Sequence, residues 1–300
     1  MKNVLITGGT GLIGRELTKQ LLAQGYNVSH LSRTKSNNDA IRTFVWDLDK
    51  KQIEPAAFAD LDIIIHLAGS GIADGRWTEK RKKEILSSRV DACNLLFEQV
   101  KAHQVNLKVF ISASGVGYYG AITSTHVFEE TDPPASDFLG KTCLLWEQAA
   151  DQFKTVNSRV VKIRTGIVLA NKGGALQKMV APIKLCLGAP LGTGNQYMPW
   201  IHISDLVNIY LKAITEKSID GAYNAVAPQH LTNREFNKLI ASFLKKPLFL
   251  PALPGFILKV FLGDMAKLVL EGSRVSSKKI EQTGFIFQYS NLKEAIKTLL

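Results

Sequence analysis

Three features of the 300-residue chain point to a doubly wound parallel α/β sheet. Short apolar runs alternate with helical patterns from Val4 to Thr165. A glycine-rich turn, Thr7-Gly8-Gly9-Thr10-Gly11-Leu12-Ile13-Gly14, joins the first run to the first helix. Small residues follow the strands, at the sheet end where folds of this class place their ligands.

Val4, Leu5 and Ile6 form the first buried strand, and the helix after the turn carries Leu12, Leu17, Leu21 and Leu22 on its apolar side. Strand, glycine turn and helix in that order are the context that gives a glycine motif meaning. Gly8 permits the tight turn, Gly11 lets a diphosphate approach the backbone, and Gly14 lets the helix pack on the strand. The N–H groups and positive dipole end at the helix start then receive the phosphates.

Val28 to Ser32 reads as the second strand, ending in Ser32-Arg33-Thr34-Lys35. An NAD site usually places an acid about twenty residues beyond the glycines to bind the ribose 2′-hydroxyl. No Asp or Glu occurs here between Glu16 and Asp39, and Arg33 and Lys35 offer cations instead. An arginine binds a 2′-phosphate through two parallel bonds, so the expected cofactor is NADP(H). Thr43 to Trp46 is a third strand, with Asp47 and Leu48 in reach of an adenine. Leu61 to Leu67 is a fourth, and Leu67, Ala68 and Gly69 at its end let the backbone pass close to a cofactor; His66 reads as a packing or capping residue.

A long helix starts near Thr78, with Ile85, Leu86, Cys93, Leu96, Phe97 and Val100 in one stripe and Arg89 the single polar residue in register. Val105 to Ala113 is the fifth strand and leads into a small-residue loop, Ser112 to Gly120, that ends in Tyr118 and Tyr119. Leu139 to Phe153 is helical and Ser158 to Thr165 is a sixth strand. Beyond Gly166 a helix runs from Gly173-Gly174 to about Leu187, and Pro199 to Asp205 starts another. Thr232 to Glu235 is a capping box, Phe256 to Leu270 is an apolar helix, and Asn291 to Leu300 is the last. His202 and Asp205 are expected to bond structurally, and Trp77, Trp146 and Trp200 to pack.

Composition narrows the class. An apolar share of 46% is that of an ordinary globular protein. Met1 leads straight into the first strand, and the longest apolar stretch, residues 248–270, is interrupted by prolines and charges, so neither a leader nor a membrane span is expected. Cys93, Cys143 and Cys186 match no metal spacing and read as reduced thiols of a cytoplasmic protein, with no metal. The net charge of +11 has one dense cluster, Lys80-Arg81-Lys82-Lys83, without interleaved aromatics. It reads as a solvated helix face and not as a nucleic-acid site.

The spacing Gly-x-x-Gly-x-x-Gly, with Arg164-Thr165-Gly166, Gly75-Arg76-Trp77, Trp146-Glu147, Pro199 to Asp205, Leu250 to Pro254, Leu262 to Met265 and Gly284 to Phe287, resembles the atypical, extended short-chain dehydrogenases/reductases. Within them it is similar to the epimerase-like subgroup of nucleoside-diphosphate-sugar epimerase homologues. The resemblance covers essentially the whole chain. It implies a Rossmann-type domain (1–170 and 197–230) with a smaller, discontinuous C-terminal substrate domain (171–196 and 231–300). It also implies Arg164 as a member of the cofactor site. The expected partner is a small-molecule substrate, with phosphorylated compounds and nucleotide-sugars as the classes, and the oligomeric state stays open.

The chain departs from the extended pattern at the chemistry. Members carry Tyr-x-x-x-Lys on the helix after the serine loop, where Lys lowers the Tyr pKa and holds the ribose. With Glu147 as anchor, the Tyr position falls on Leu139 and the Lys position on Cys143. Ser114, or Ser112, matches the active-site serine; Tyr118 or Tyr119 would supply a phenol. Lys141, the only lysine between Val109 and Phe153, would have to complete any rebuilt pair. Arg76, Lys80, Lys184 and Arg274 are further candidates for clamping a substrate anion. Two readings follow: an NADP(H)-dependent epimerase-like oxidoreductase, or an NADP(H)-binding sensor or partner-binding protein without turnover.

Overall fold

The computed structural model describes residues 2–35 and 41–300; Met1 and Asp39, used above, lie outside the described residues. The chain begins with β1 (Asn3–Thr7), α1 (Leu12–Ala23), β2 (Asn27–Ser32), β3 (Arg42–Asp47) and the short β4 (Gln52–Ile53). It continues through β5 (Ile63–His66), α2 (Glu79–Ala102), β6 (Val109–Gly115), β7 (Val127–Phe128), α3 (Phe138–Asp151) and β8 (Arg159–Thr165). β9 (Ile167–Leu169), α4 (Gly174–Lys184), β10 (Trp200–His202), α5 (Ile203–Thr215) and β11 (Gly221–Ala225) follow.

Eight strands form one sheet in the order β11-β8-β6-β5-β1-β2-β3-β4, parallel throughout except for the β3–β4 edge. The chain builds outward from β1 to β4 and then returns to add β5 on the other side of β1. That reversal opens a crevice beyond the C-terminal ends of β1 and β5, as expected of a Rossmann-type sheet. The central strands read as continuous apolar runs because helices cover both sheet faces: Val4, Leu5 and Ile6 and Ile63, Ile64 and Ile65 are all at most 1% exposed. α1 and α5 pack on one face, while α2 and α3 cover the other.

Helix α2 begins where Thr78 accepts the Arg81 N–H at 3.2 Å. The remaining elements are α6 (Asn233–Phe243), opened by the Thr232/Glu235 capping box, then α7 (Gly255–Leu262), α8 (Lys267–Leu270), β12 (Arg274–Val275), α9 (Lys278–Glu281) and α10 (Leu292–Leu299). The single helix expected over 256–270 is broken. Gly263 adopts φ +60°, which ends α7 and starts a 3₁₀ turn before α8. A separate core joins α4, α6 and α10 to β9 and β10. β12 pairs with β7, which ties the C-terminal segment back to the loop after β6. Asp205 accepts the Gln288 and Tyr289 N–H groups at 2.9 and 3.0 Å, a second tie and a structural use of that carboxylate. No described helix is long and apolar enough to cross a membrane.

Candidate functional site

The turn after β1 is built for close approach. Gly8 has φ +70°, and a β-carbon on Gly14 would stand 2.4 Å from the Gly8 carbonyl oxygen and 2.6 Å from the Gly9 Cα. Only glycine lets α1 pack this tightly on its own turn. Gly11, the N-cap, offers no side-chain acceptor to the first-turn N–H groups, and no acidic residue occupies that turn. Thr10 and Gly11 are exposed, with Leu12 and Ile13 half-buried behind them. Unclaimed donors at the positive end of a twelve-residue helix suit a phosphate. The residues present therefore fit a dinucleotide diphosphate.

Thr7 is turned inward, which differs from its expected place among cofactor contacts. It faces His66 across the β1–β5 register. Its Oγ1 lies 2.8 Å from His66 Nδ1 and accepts the Leu67 and Ala68 N–H groups, both at 3.1 Å. With both lone pairs used, the Thr7 hydroxyl donates to Nδ1, so His66 carries its proton on Nε2, 3.4 Å from the Arg89 carbonyl oxygen. Burial lowers the imidazole pKa to about 4. Thr7 and His66 thus fix the Leu67–Ala68–Gly69 segment beside the glycine turn, where a β-carbon on Gly8 would stand 3.0 Å from the Ala68 nitrogen.

At the tip of β2, Ser32 is half-buried while Arg33 and Lys35 are exposed. Asp47 ends the neighbouring β3 and Leu48 follows it. The Asp47 carboxylate accepts the Asp49 and Lys50 N–H groups at 3.0 Å each, which holds the turn and keeps its pKa low. That use competes with the adenine contact expected of it.

Beyond β6 the structure assembles a buried polar network. Ser114, Arg164 and Asn224 are register partners on β6, β8 and β11 and so form one row across three strands. Ser114 Oγ donates to Glu147 Oε1 at 2.8 Å. Arg164, 3% exposed, holds both oxygens of that carboxylate, Nε to Oε1 at 2.8 Å and Nη2 to Oε2 at 2.9 Å. Its Nη1 donates to the Tyr119 hydroxyl at 2.9 Å, and Tyr119 donates to Asn224 Oδ1 at 2.7 Å. The Arg164 guanidinium is therefore consumed inside the protein, contrary to its expected place among cofactor contacts.

The two tyrosines have separate environments. Tyr119 is 1% exposed and burial pushes its pKa well up, against the pull of Arg164. The Tyr118 ring lies under the same guanidinium, with Cζ 3.4 Å from its centroid. Burial raises the Tyr118 pKa as well, with Arg164 again opposing. Lys141 is exposed on α3 and is not the cation against the phenols. Arg164 takes that place, since α3 turns its residue 143 and not 141 toward the loop. Cys143 and Leu139 are buried there, and burial pushes the Cys143 thiol up to about 12.

Sequence reasoning missed Glu147 as the network's centre and Asn224 altogether, because Asn224 belongs to a strand that no local pattern announced. Among the other candidates, Arg274 donates to His230 Nδ1 at 2.8 Å, and Arg76 lies beside Gly263. Of the basic cluster, Arg81 pairs with Glu84 at 2.7 Å and Lys82 with Asp264 at 3.0 Å, so half of the expected solvated face is ion-paired. His202 Nδ1 accepts the Ser204 N–H at 3.1 Å and caps α5.

Comparison with known proteins agrees with this architecture. Residues 4–225 match the family model described as the NAD dependent epimerase/dehydratase family, and residues 253–299 match a domain of unknown function, DUF1731. "Epimerase family protein YfhF" of Bacillus subtilis is 36% identical over 299 residues, covering 99% of this chain and 98% of that protein. "Epimerase family protein SDR39U1 homolog, chloroplastic" of Arabidopsis thaliana is 35% identical over 303 residues, covering 99% and 86%. The crystal structure of human epimerase family protein SDR39U1 with NADPH superposes with a TM-score of 0.88 at 32% identity, covering 99% of this chain and 98% of that one.

Proposed function

The chain belongs to the NAD dependent epimerase/dehydratase family, and from that premise we propose that it is an NADP(H)-dependent, epimerase-like oxidoreductase. The observation that carries the choice of cofactor is the β2 tip, where Arg33 and Lys35 are exposed and the sequence has no carboxylate between Glu16 and residue 39. The structure of human SDR39U1 was determined with NADPH, which supports the same reading. The cofactor supplies hydride exchange at its nicotinamide when bound.

This chain's residues divide the remaining work. Gly8, Gly9, Gly11 and Gly14, with the Thr10 to Ile13 backbone, hold the diphosphate at the start of α1. Leu67, Ala68 and Gly69 pass beneath the middle of the cofactor. Ser32, Arg33 and Lys35 hold the 2′-phosphate, and Asp47 and Leu48 border the adenine. Arg164 keeps Ser114 oriented through Glu147 and polarises the Tyr118 ring. Tyr118 is the phenol that exchanges a proton with a substrate oxygen, because the Tyr119 hydroxyl is committed to Arg164 and Asn224. Structural neighbours such as MoeE5, seen in complex with UDP-glucose and NAD at 21% identity and a TM-score of 0.79, share the fold. We extend from this to a phosphorylated or nucleotide-linked small molecule as the substrate class.

Titration of NADPH and NADH by fluorescence tests the cofactor choice. NADPH is expected to bind tighter, and Arg33→Ala with Lys35→Ala is expected to remove that preference by weakening NADPH alone. Equal affinities in the wild-type protein overturn the choice. A second reading, an NADP(H)-binding sensor without turnover, is favoured by the buried, uncharged Leu139 and Cys143 where the extended enzymes carry Tyr and Lys. Binding with no NADPH oxidation across a panel of carbonyl compounds selects it.

A further inference from the structure

Arg89 stands out on α2 as a cation without a counter-charge. Its Nη1 donates to the Ile85 carbonyl at 2.9 Å, and its Cζ lies 5.1 Å from the centroid of the buried Trp146 ring on α3. No ion pair to it occurs among the described residues; the titratable groups near it are the Arg81 cation and the neutral Cys143 thiol. Burial lowers its pKa, and the nearby Arg81 cation adds a smaller push in the same direction. The side chain is still only half-buried, so one side reaches solvent. A β-carbon on Gly69 would stand 2.9 Å from its Cζ. The guanidinium thus rests on the segment after β5, between the β5 end and the helix that carries Cys143.

We infer that Arg89 is a cofactor-contacting residue that supplies from α2 the positive charge missing from α3 at Cys143, and that it acts on the nicotinamide half. The sheet order decides which half. On that reading the 2′-phosphate end belongs at β2, on one side of β1, while Gly69 and Arg89 lie by β5 on the other. A guanidinium held by a backbone carbonyl and an aromatic face keeps donors free for ribose hydroxyls and the adjoining phosphate. An uncompensated, partly buried cation is costly to keep, and an anionic ligand removes that cost. His66 adds a positioning device, since its Nε2–H faces the Arg89 carbonyl oxygen. The inference rests on the NADP(H) reading above.

The test compares whole and half cofactor. NADPH and 2′,5′-ADP are titrated against wild type, Arg89→Met and Arg89→Lys, with unfolding curves measured without ligand. The expected result is a loss of about 10- to 100-fold in NADPH affinity for Arg89→Met, with 2′,5′-ADP affinity unchanged and partial recovery in Arg89→Lys. Equal loss for both ligands shows that Arg89 only supports the crevice and overturns the inference. Unchanged NADPH affinity overturns it as well. Failure of the wild-type protein to bind either ligand sinks the cofactor reading itself, and the inference with it.

Discussion

Replacing Arg164 by Met should be among the most damaging single changes in this protein. The Arg164 and Glu147 side chains are 3% and 6% exposed, and their two parallel bonds measure 2.8 and 2.9 Å. Methionine fills much of the same volume but leaves the Glu147 carboxylate in the interior with Ser114 as its remaining hydrogen-bond donor. Breaking one side of a buried pair costs about 3–5 kcal/mol, chiefly from the charge left behind. With a urea slope of about 3 kcal/mol/M, the unfolding midpoint should fall by about 1 M or more. Glu147→Leu should cost a comparable amount by leaving the guanidinium unpaired. The double variant should be less destabilised than the sum of the two, because both charges leave together. A midpoint within about 0.3 M of wild type for Arg164→Met would refute the assignment of a tightly packed, desolvated pair.

Further predictions concern the same crevice. Gly14→Ala must push α1 off its turn, given a β-carbon 2.4 Å from a carbonyl oxygen; dye-free thermal unfolding should show a loss of about 1–3 kcal/mol, and NADPH titration a loss of binding. Tyr118→Phe should abolish NADPH oxidation while leaving the urea midpoint nearly unchanged. Tyr119→Phe should cost about 1–3 kcal/mol, because Asn224 Oδ1 and one Arg164 donor lose their partner. His66 and His202 each have a folded pKa lowered to about 4 by burial, from an ordinary value of 6.5. The unfolded chain therefore binds more protons, so stability is complete above about pH 6.5 and falls as pH drops toward 4, by up to about 3 kcal/mol per histidine. Urea midpoints from pH 4 to pH 8 check the slope; a midpoint that does not fall below pH 6 refutes it.

What the amino-acid sequence determined alone is whatever neighbouring residues decide. The β1–glycine–α1 unit follows from an apolar run and from the lack of a β-carbon at Gly8 and Gly14. The capping box at Thr232 and the N-cap at Thr78 follow from side chains that bond a backbone three residues on. The absence of an acid at the β2 tip, between Glu16 and Asp39, was equally plain. Tertiary structure decided the chemistry around the tyrosines. Ser114, Arg164 and Asn224 meet because three parallel strands align in one register, and α3 turns Glu147 onto that row. Spacing along the chain carries no information about that alignment, which is why Lys141 looked eligible and Arg164 looked like a ligand for cofactor. Strand order, set by which faces the helices must cover, also brought Arg89 to Gly69. Local sterics and periodicity act within a few residues, whereas partner choice between distant polar groups depends on packing the whole sheet.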